Sequence, residues 1–378
     1  MLFLALLAGA CAKPGAPTVL GRLRIGLGAT ALALAPDGRT LAVACRRSND
    51  VWILDMKSGA GLGHIDTGAK PRALFFPGDK PAFFVAEGVS PKASVALIKL
   101  SDQRVARRYH PRGLLSRWLV LADQDRLLAA RLGEPLLGVY RLKDWHLVKA
   151  VTVGGEVTAM AADKDAWWAA TRQADSLARL SPRDLSLQAV ALAGPEPRGL
   201  ALDSSAGQAY LACQGRQGEA VPMALPTPTA GKEILSPLSP SVEEDDMGDS
   251  LAAVDEPVDV DDEEIPASVG SAVTQKKDAR FDGGGVAVFR LKDTRRVDYI
   301  DVPGGPTQVL LSPDGQRLAL GCADGQLRML DLASRKVVHI LRLGGVPGAM
   351  QASPDGKELW IALSDNKQLL RVKAGQGW

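Results

Sequence analysis

Three stretches of this chain align without a gap: LALAPDGRTLAVAC (32–45), VLLSPDGQRLALGC (309–322) and MQASPDGKELWIAL (350–363). ALDSSAGQAYLAC (201–213), LFFPGDKPAFFVAE (74–87), LVLADQDRLLAARL (119–132) and MAADKDAWWAA (160–170) repeat the pattern with altered turns. Each copy reads as a short apolar strand, a tight Asp/Gly turn and a second apolar strand. The turn residues supply positive φ and side-chain-to-backbone hydrogen bonds, as a hairpin requires. A chain built on such a repeat folds as a stack of equivalent units.

A third strand follows each copy: VWILD (51–55), SVALIKL (94–100), LLGVYRL (136–142), SLARL (176–180), GVAVFRL (285–291), QLRMLDL (326–332) and a weaker QLLRV (368–372). A fourth closes on Gly in GHIDTG (63–68), HLVKAVTVG (146–154), VALAG (190–194), VDYIDVPG (297–304) and VVHILRLG (337–344). Four strands in a period of about 40 residues describe one β-propeller blade. One blade cannot bury both faces, whereas blades stacked around an axis can. The seventh unit runs out at Trp378 without a fourth strand. TVLGRLRIG (18–26) has the form of the missing one. The sequence therefore predicts an all-β, seven-bladed β-propeller of four-stranded antiparallel blades over 18–378, its ring closed by the N-terminal strand.

The unit with Gly-Pro before the first strand and SPDG in the turn resembles the YVTN family of bacterial β-propellers and, more distantly, WD-repeats. Gly304-Gly305-Pro306 with Ser312-Pro313-Asp314-Gly315, and Val346-Pro347 with Ser353-Pro354-Asp355-Gly356, carry the resemblance best. That family includes protein-binding modules, lactonases and the haem domain of a nitrite reductase, so the resemblance implies architecture and leaves the activity open.

Residues 1–11, MLFLALLAGAC, form an apolar run with small residues before a cysteine, which resembles a bacterial lipoprotein signal. The resemblance implies lipidation at Cys11 and a lipid-anchored protein of the bacterial cell envelope, facing the periplasm or the exterior. Two features depart from the pattern: no Lys or Arg precedes the run, and Ala8 stands where Leu is commoner. No apolar run reaches the length of a spanning helix, so the anchor is the only expected membrane contact. Four cysteines without a CxxC or CxxCH motif argue against covalent haem and zinc knuckles, and no cofactor or metal is expected. Cys45, Cys213 and Cys322 occupy equivalent second-strand positions and read as small buried hydrophobes.

One segment breaks the pattern. Residues 216–282 interrupt blade five and carry 16 Asp/Glu against 5 Lys/Arg, including VEEDD (242–246) and VDVDDEE (258–264). Such a composition predicts a disordered acidic insertion. It also leaves the rest of the chain at about +13, given a net charge of +2 overall.

The loops before the first strands belong at the channel mouth. Aligning the repeats puts Arg72, Arg117 and Arg198 at one position in blades two, three and five, with Thr30, Thr307 and Gly348 in blades one, six and seven. Three guanidiniums around one mouth make an anion-attracting collar. Trp118, at the start of a channel strand, is a candidate ligand-facing aromatic, and Thr307 joins the candidate ligand-binding residues. The insertion would leave on the same face. No catalytic residue is assigned: His64, His110, His146 and His339 fall in fourth strands or outer loops, and Glu156 and Glu196 are the acids nearest the mouth. The expected role is non-catalytic binding of an envelope protein partner or an anionic ligand by a monomer. Two alternatives stand beside it. One is a lactonase-type hydrolase (6-phosphogluconolactonase-like). The other is a basic surface for nucleic acid or another polyanion, against which an envelope location and the lack of a stacking platform weigh.

Overall fold

The computed structural model describes residues 16–77, 82–89, 92–111, 113–120, 125–216, 283–375 and 378. Every regular element among them is a strand. After β1 (Thr18–Arg24), blade one is β2 (Ala29–Leu34), β3 (Thr40–Cys45), β4 (Asp50–Asp55) and β5 (Gly61–Asp66). Blade two is β6 (Ala73–Phe75), β7 (Ala82–Val89), β8 (Lys92–Lys99) and β9 (Arg104–Tyr109). Blade three is β10 (Leu115–Val120), β11 (Arg126–Arg131), β12 (Leu136–Arg141) and β13 (His146–Thr152). Blade four is β14 (Val157–Ala162), β15 (Trp167–Thr171), β16 (Ser176–Leu180) and β17 (Leu187–Leu192). Blade five is β18 (Pro197–Asp203), β19 (Gln208–Cys213), β20 (Gly285–Arg290) and β21 (Arg295–Asp301). Blade six is β22 (Pro306–Leu311), β23 (Arg317–Cys322), β24 (Gln326–Asp331) and β25 (Lys336–Arg342). Blade seven has β26 (Pro347–Ala352), β27 (Glu358–Leu363) and β28 (Gln368–Lys373).

Six sheets run in chain order; the seventh is ordered β1-β28-β27-β26. β1 lies antiparallel on β28, with Thr18 opposite Lys373 and Arg24 opposite Gln368. The predicted closure is therefore realised: the first strand of the chain is the outer strand of the last blade. The inner strands touch in sequence, β2 to β6, β10, β14, β18, β22 and β26, and β26 touches β2 again.

Seven apolar cores follow, one in each seam between neighbouring blades. Strand alternation sends successive side chains to opposite faces of a blade. Trp167 thus packs in the seam of blades three and four, and Trp168 in that of blades four and five. Trp360 and Cys45 share the closing seam of blades seven and one. Cys45, Cys213 and Cys322 are fully buried free thiols, and burial pushes those of Cys213 and Cys322 up to about 12. They behave as the small hydrophobes expected.

The SPDG turn explains why the repeat is legible. Gly315 takes φ +70°, closed to most L side chains. Asp314 Oδ1 accepts from the Ser312 hydroxyl at 2.6 Å and the Gln316 N–H at 3.0 Å. The Arg317 N–H donates to Ser312 Oγ at 2.9 Å. The same bonds recur around Ser353 and Asp355.

One strand escapes the sequence pattern. The fourth strand of blade two is β9, RVARRY, with three arginines and no closing Gly. It pairs fully with β8, and its exposure lets it be polar. Residues 1–15, with Cys11, and residues 217–282 of the acidic insertion lie outside the described residues.

Candidate functional site

Six of the seven inner strands begin with a register shift that leaves one residue unpaired, and β6 of blade two pairs without one. The unpaired residue is Thr30 in blade one, Ser116 in three, Thr158 in four, Arg198 in five, Thr307 in six and Gly348 in seven. Arg72 immediately precedes β6 and holds the corresponding place in blade two, its N–H donating to Ala86 O at 2.9 Å. Arg117 is therefore one residue beyond the position that aligning the repeats gives it. Pro71 precedes Arg72 in blade two, and Pro197 precedes the bulge in blade five. Blade three has Leu115 there, and pairing of Arg117 with Ala130 sets the register instead.

The bulged side chains tie blades together. The Thr30 hydroxyl reaches Pro71 O of blade two at 3.3 Å, and Thr158 reaches Pro197 O of blade five at 2.7 Å. Thr307 Oγ1 donates to Gly321 O of its own blade at 3.1 Å, so this hydroxyl supports its bulge. At Gly348 a Cβ would meet Ala29 O at 2.1 Å, which is why blade seven presents no side chain here. Trp118 turns away from the axis: its ring stands edge-on to Phe75 at 5.0 Å and 5.8 Å from Trp145, in the seam of blades two and three. Alternation along β10 requires this once Arg117 points toward blade four.

Two further arginines reach the same mouth from the turns after the second strands. Arg46 follows β3 and Arg172 follows β15, their N–H groups bonded to Gly28 O and Glu156 O of the entry loops. Their positions correspond, but each is remote in sequence from the first-strand loops, and reading those loops alone misses both.

Five guanidiniums and two carboxylates thus stand at the first-strand entries and the turns bonded to them, and they are unevenly paired. Arg172 Nη2 binds Glu156 Oε2 at 2.7 Å. Arg198 binds Glu196 Oε2 at 3.1 Å and, through Nε, Gln214 Oε1 at 3.0 Å. Glu196 holds a left-handed backbone, φ +54°, where blades one and six use Gly28 and Gly305. Asp175 Oδ1 pins it by accepting its N–H at 2.9 Å. Both carboxylates are therefore engaged with arginines and neither stands free as a base. All four histidines lie on or beside outer strands, far out along their blades, His64 stacked on Trp52 at 5.3 Å.

Arg117 donates from Nε to Thr158 O at 2.9 Å and from Nη1 to Ser116 O at 2.8 Å. Among the described residues it has no ion pair, and the residue as a whole is exposed. Arg46 and Arg72 also lack an ion pair, and the Nε of each is buried without an acceptor among the described residues. Burial, then Arg46, then Arg117 hold the Arg72 guanidinium below the ordinary arginine range. Burial lowers Arg117 too, outweighing the pull of Glu156, and Arg198 adds to the effect. Burial likewise leads the lowering of Arg198. An unsatisfied buried donor costs roughly 1–3 kcal/mol, more on a cation, so this cluster is held at the expense of stability.

Arg216, where the insertion begins, binds Asp175 Oδ2. Gly283, where it ends, packs on Pro195 and accepts from the Tyr299 hydroxyl. Both roots of the insertion therefore stand on this face, beside Glu196 and Arg198, as expected from the order of the strands.

No family model matches this chain. It is similar to Protein NirF of Pseudomonas aeruginosa, 32% identical over 89 residues, which are 22% of this chain and 22% of that protein. The match thus spans about a fifth of the relative, a length near two blades.

Proposed function

We propose that this protein is a binding platform that takes an anionic ligand, or an acidic segment of a protein partner, at the arginine-rich mouth of a β-propeller. The observation that carries this reading is that Arg46, Arg72 and Arg117, at the first-strand entries and the turn bonded to them, have no ion pair among the described residues, while the nearby Glu156 and Glu196 are already held by arginines. Arginine forks suit carboxylates and phosphates, and a ringed, partly desolvated site strengthens such bonds. The engagement of Glu156 and Glu196 and the outward placement of the histidines favour binding over hydrolysis. The YVTN-like repeats and the similarity to NirF fit such a role without naming the ligand.

Titration with poly-L-glutamate and inorganic polyphosphate at rising salt tests this. The wild type is expected to bind at least one of them, with affinity falling as salt rises. Arg72→Gln with Arg117→Gln is expected to weaken binding about tenfold or more and to flatten the salt dependence. Absence of binding by the wild type to any anion, or equal binding by the variant, overturns the reading.

The same reading places the protein in the bacterial cell envelope, lipidated at Cys11. Expressed in a Gram-negative host, the wild type is expected in the detergent-soluble membrane fraction. Cys11→Ala is expected to move it to the soluble fraction, because the acyl chains carried by that cysteine supply the membrane affinity. Unchanged partitioning removes Cys11 as the anchor.

A further inference from the structure

The five arginines at the mouth do not form one uniform collar. In blades four and five each guanidinium has a carboxylate: Arg172 with Glu156, and Arg198 with Glu196 and Gln214. In blades one, two and three none does. Among the described residues Arg46, Arg72 and Arg117 have no ion pair, and the Nε groups of Arg46 and Arg72 have no acceptor while being closed to solvent. Arg117 is fixed by two backbone carbonyls, Thr158 O and Ser116 O, which leaves Nη2 as its uncommitted nitrogen. Three adjacent like charges in a partly desolvated mouth repel one another. A singly charged partner leaves two of the three uncompensated; a compact partner with two or three charges can meet all of them.

We infer that the mouth takes a compact polyvalent oxyanion, of phosphate, pyrophosphate or tricarboxylate type, held by Arg46, Arg72 and Arg117 in the sector of blades one to three, with Arg198 outside the site. This rests on the anion-binding reading above and narrows it to a ligand class and a place. The anion is either a free small molecule or the charged head of a larger one; the chemistry at the three arginines is the same. Arg46 is the residue this adds: it stands in the turn after β3, bonded to the blade-one entry loop at Gly28 O, and Thr30 of that loop reaches Pro71 O beside Arg72.

The test is calorimetric titration of the full chain with acetate, inorganic phosphate, pyrophosphate and citrate at one ionic strength. The variants are Arg46→Gln, Arg72→Gln and Arg198→Gln. Pyrophosphate or citrate is expected to bind about tenfold or more tightly than acetate. Arg46→Gln and Arg72→Gln are each expected to lose about tenfold, and Arg198→Gln to stay within about twofold. Thermal unfolding checks folding: Arg46→Gln removes a repelling, unsatisfied cation, so its Tm is expected to equal or exceed that of the wild type. Acetate binding as tightly as pyrophosphate, or Arg198→Gln losing as much as Arg72→Gln, overturns this inference and leaves the anion-binding reading standing. Binding of poly-L-glutamate with no small anion does the same and assigns the mouth to an acidic protein segment. Failure of every small anion and both polymers overturns both.

Discussion

A chain that begins at Ile25, and so lacks β1, is expected to lose about 3–6 kcal/mol of stability against one that begins at Ala16. β1 supplies a whole strand of backbone pairing to β28, from Thr18–Lys373 to Arg24–Gln368. Its inward residues add packing: Val19 lies against the core of blades six and seven, and Leu23 against that of blades seven and one. Without it β28 becomes a bare edge, an invitation to intermolecular pairing. The loss is comparable to the whole net stability of an ordinary domain, about 5–15 kcal/mol, so partial opening or aggregation is expected. Chemical denaturation and size-exclusion chromatography read the two effects. A second variant separates the role of the strand from that of the missing residues. Because Thr18 faces Lys373, residues 16–24 can be fused after Trp378, which keeps that buried side chain in the core of blades six and seven. This chain is expected to recover blade seven while the seam of blades seven and one, no longer bridged by the chain, unfolds faster than in the wild type. Wild-type stability on simple deletion of β1 would show that closure by this strand contributes nothing.

Trp360→Ala is expected to cost about 3–5 kcal/mol, the usual loss for a large aromatic removed from a packed core. Trp360 is fully buried in the closing seam with Leu41, Val43, Leu54 and Leu369. Arg371 lies 5.7 Å from the ring centroid and is itself held by Glu358 in a two-pronged ion pair at 2.7 and 2.8 Å. The Trp therefore packs a seam and also covers an ion pair. Trp52, only partly buried at the rim of the same seam, is expected to cost clearly less. Anion binding is expected to be unchanged in Trp360→Ala. Trp360 belongs to the end of the ring formed by the Pro36–Gly38 and Pro354–Gly356 turns, with which it shares a cleft of about 360 Å³, and not to the mouth. Urea midpoints and the titrations above measure both. Equal costs for Trp52 and Trp360 would mean that packing in the seam does not set stability.

The repeats carry the fold because each one contains its own local reasons: a turn that demands Gly and Asp, and flanking strands whose alternation buries both faces. Blade two shows the limit. β9 pairs as regularly as the other outer strands, but an exposed edge asks nothing apolar of it, so RVARRY leaves no signature. The site was legible as a place and only partly as a set of side chains. Arg72 and Arg198 stand where the repeats put them, each after a proline. Arg117 does not, since a bulge is set by cross-strand pairing and blade three lacks the proline that marks it. Trp118 follows from the same shift, because moving one residue along a strand exchanges the axis for the seam.

What the sequence determined by itself is the architecture: seven blades, four strands in each, and the borrowed first strand that closes them, all written in residues close together in the chain or repeated along it. What only the tertiary structure decided is which charges meet. The entry loop that carries Arg46 is tied to that of Arg72 through Thr30 and Pro71, Glu156 neutralises Arg172, and Glu196 neutralises Arg198. Electrostatic pairing depends on distances of a few ångströms between residues from different blades or different turns, and no local pattern along the chain encodes those distances.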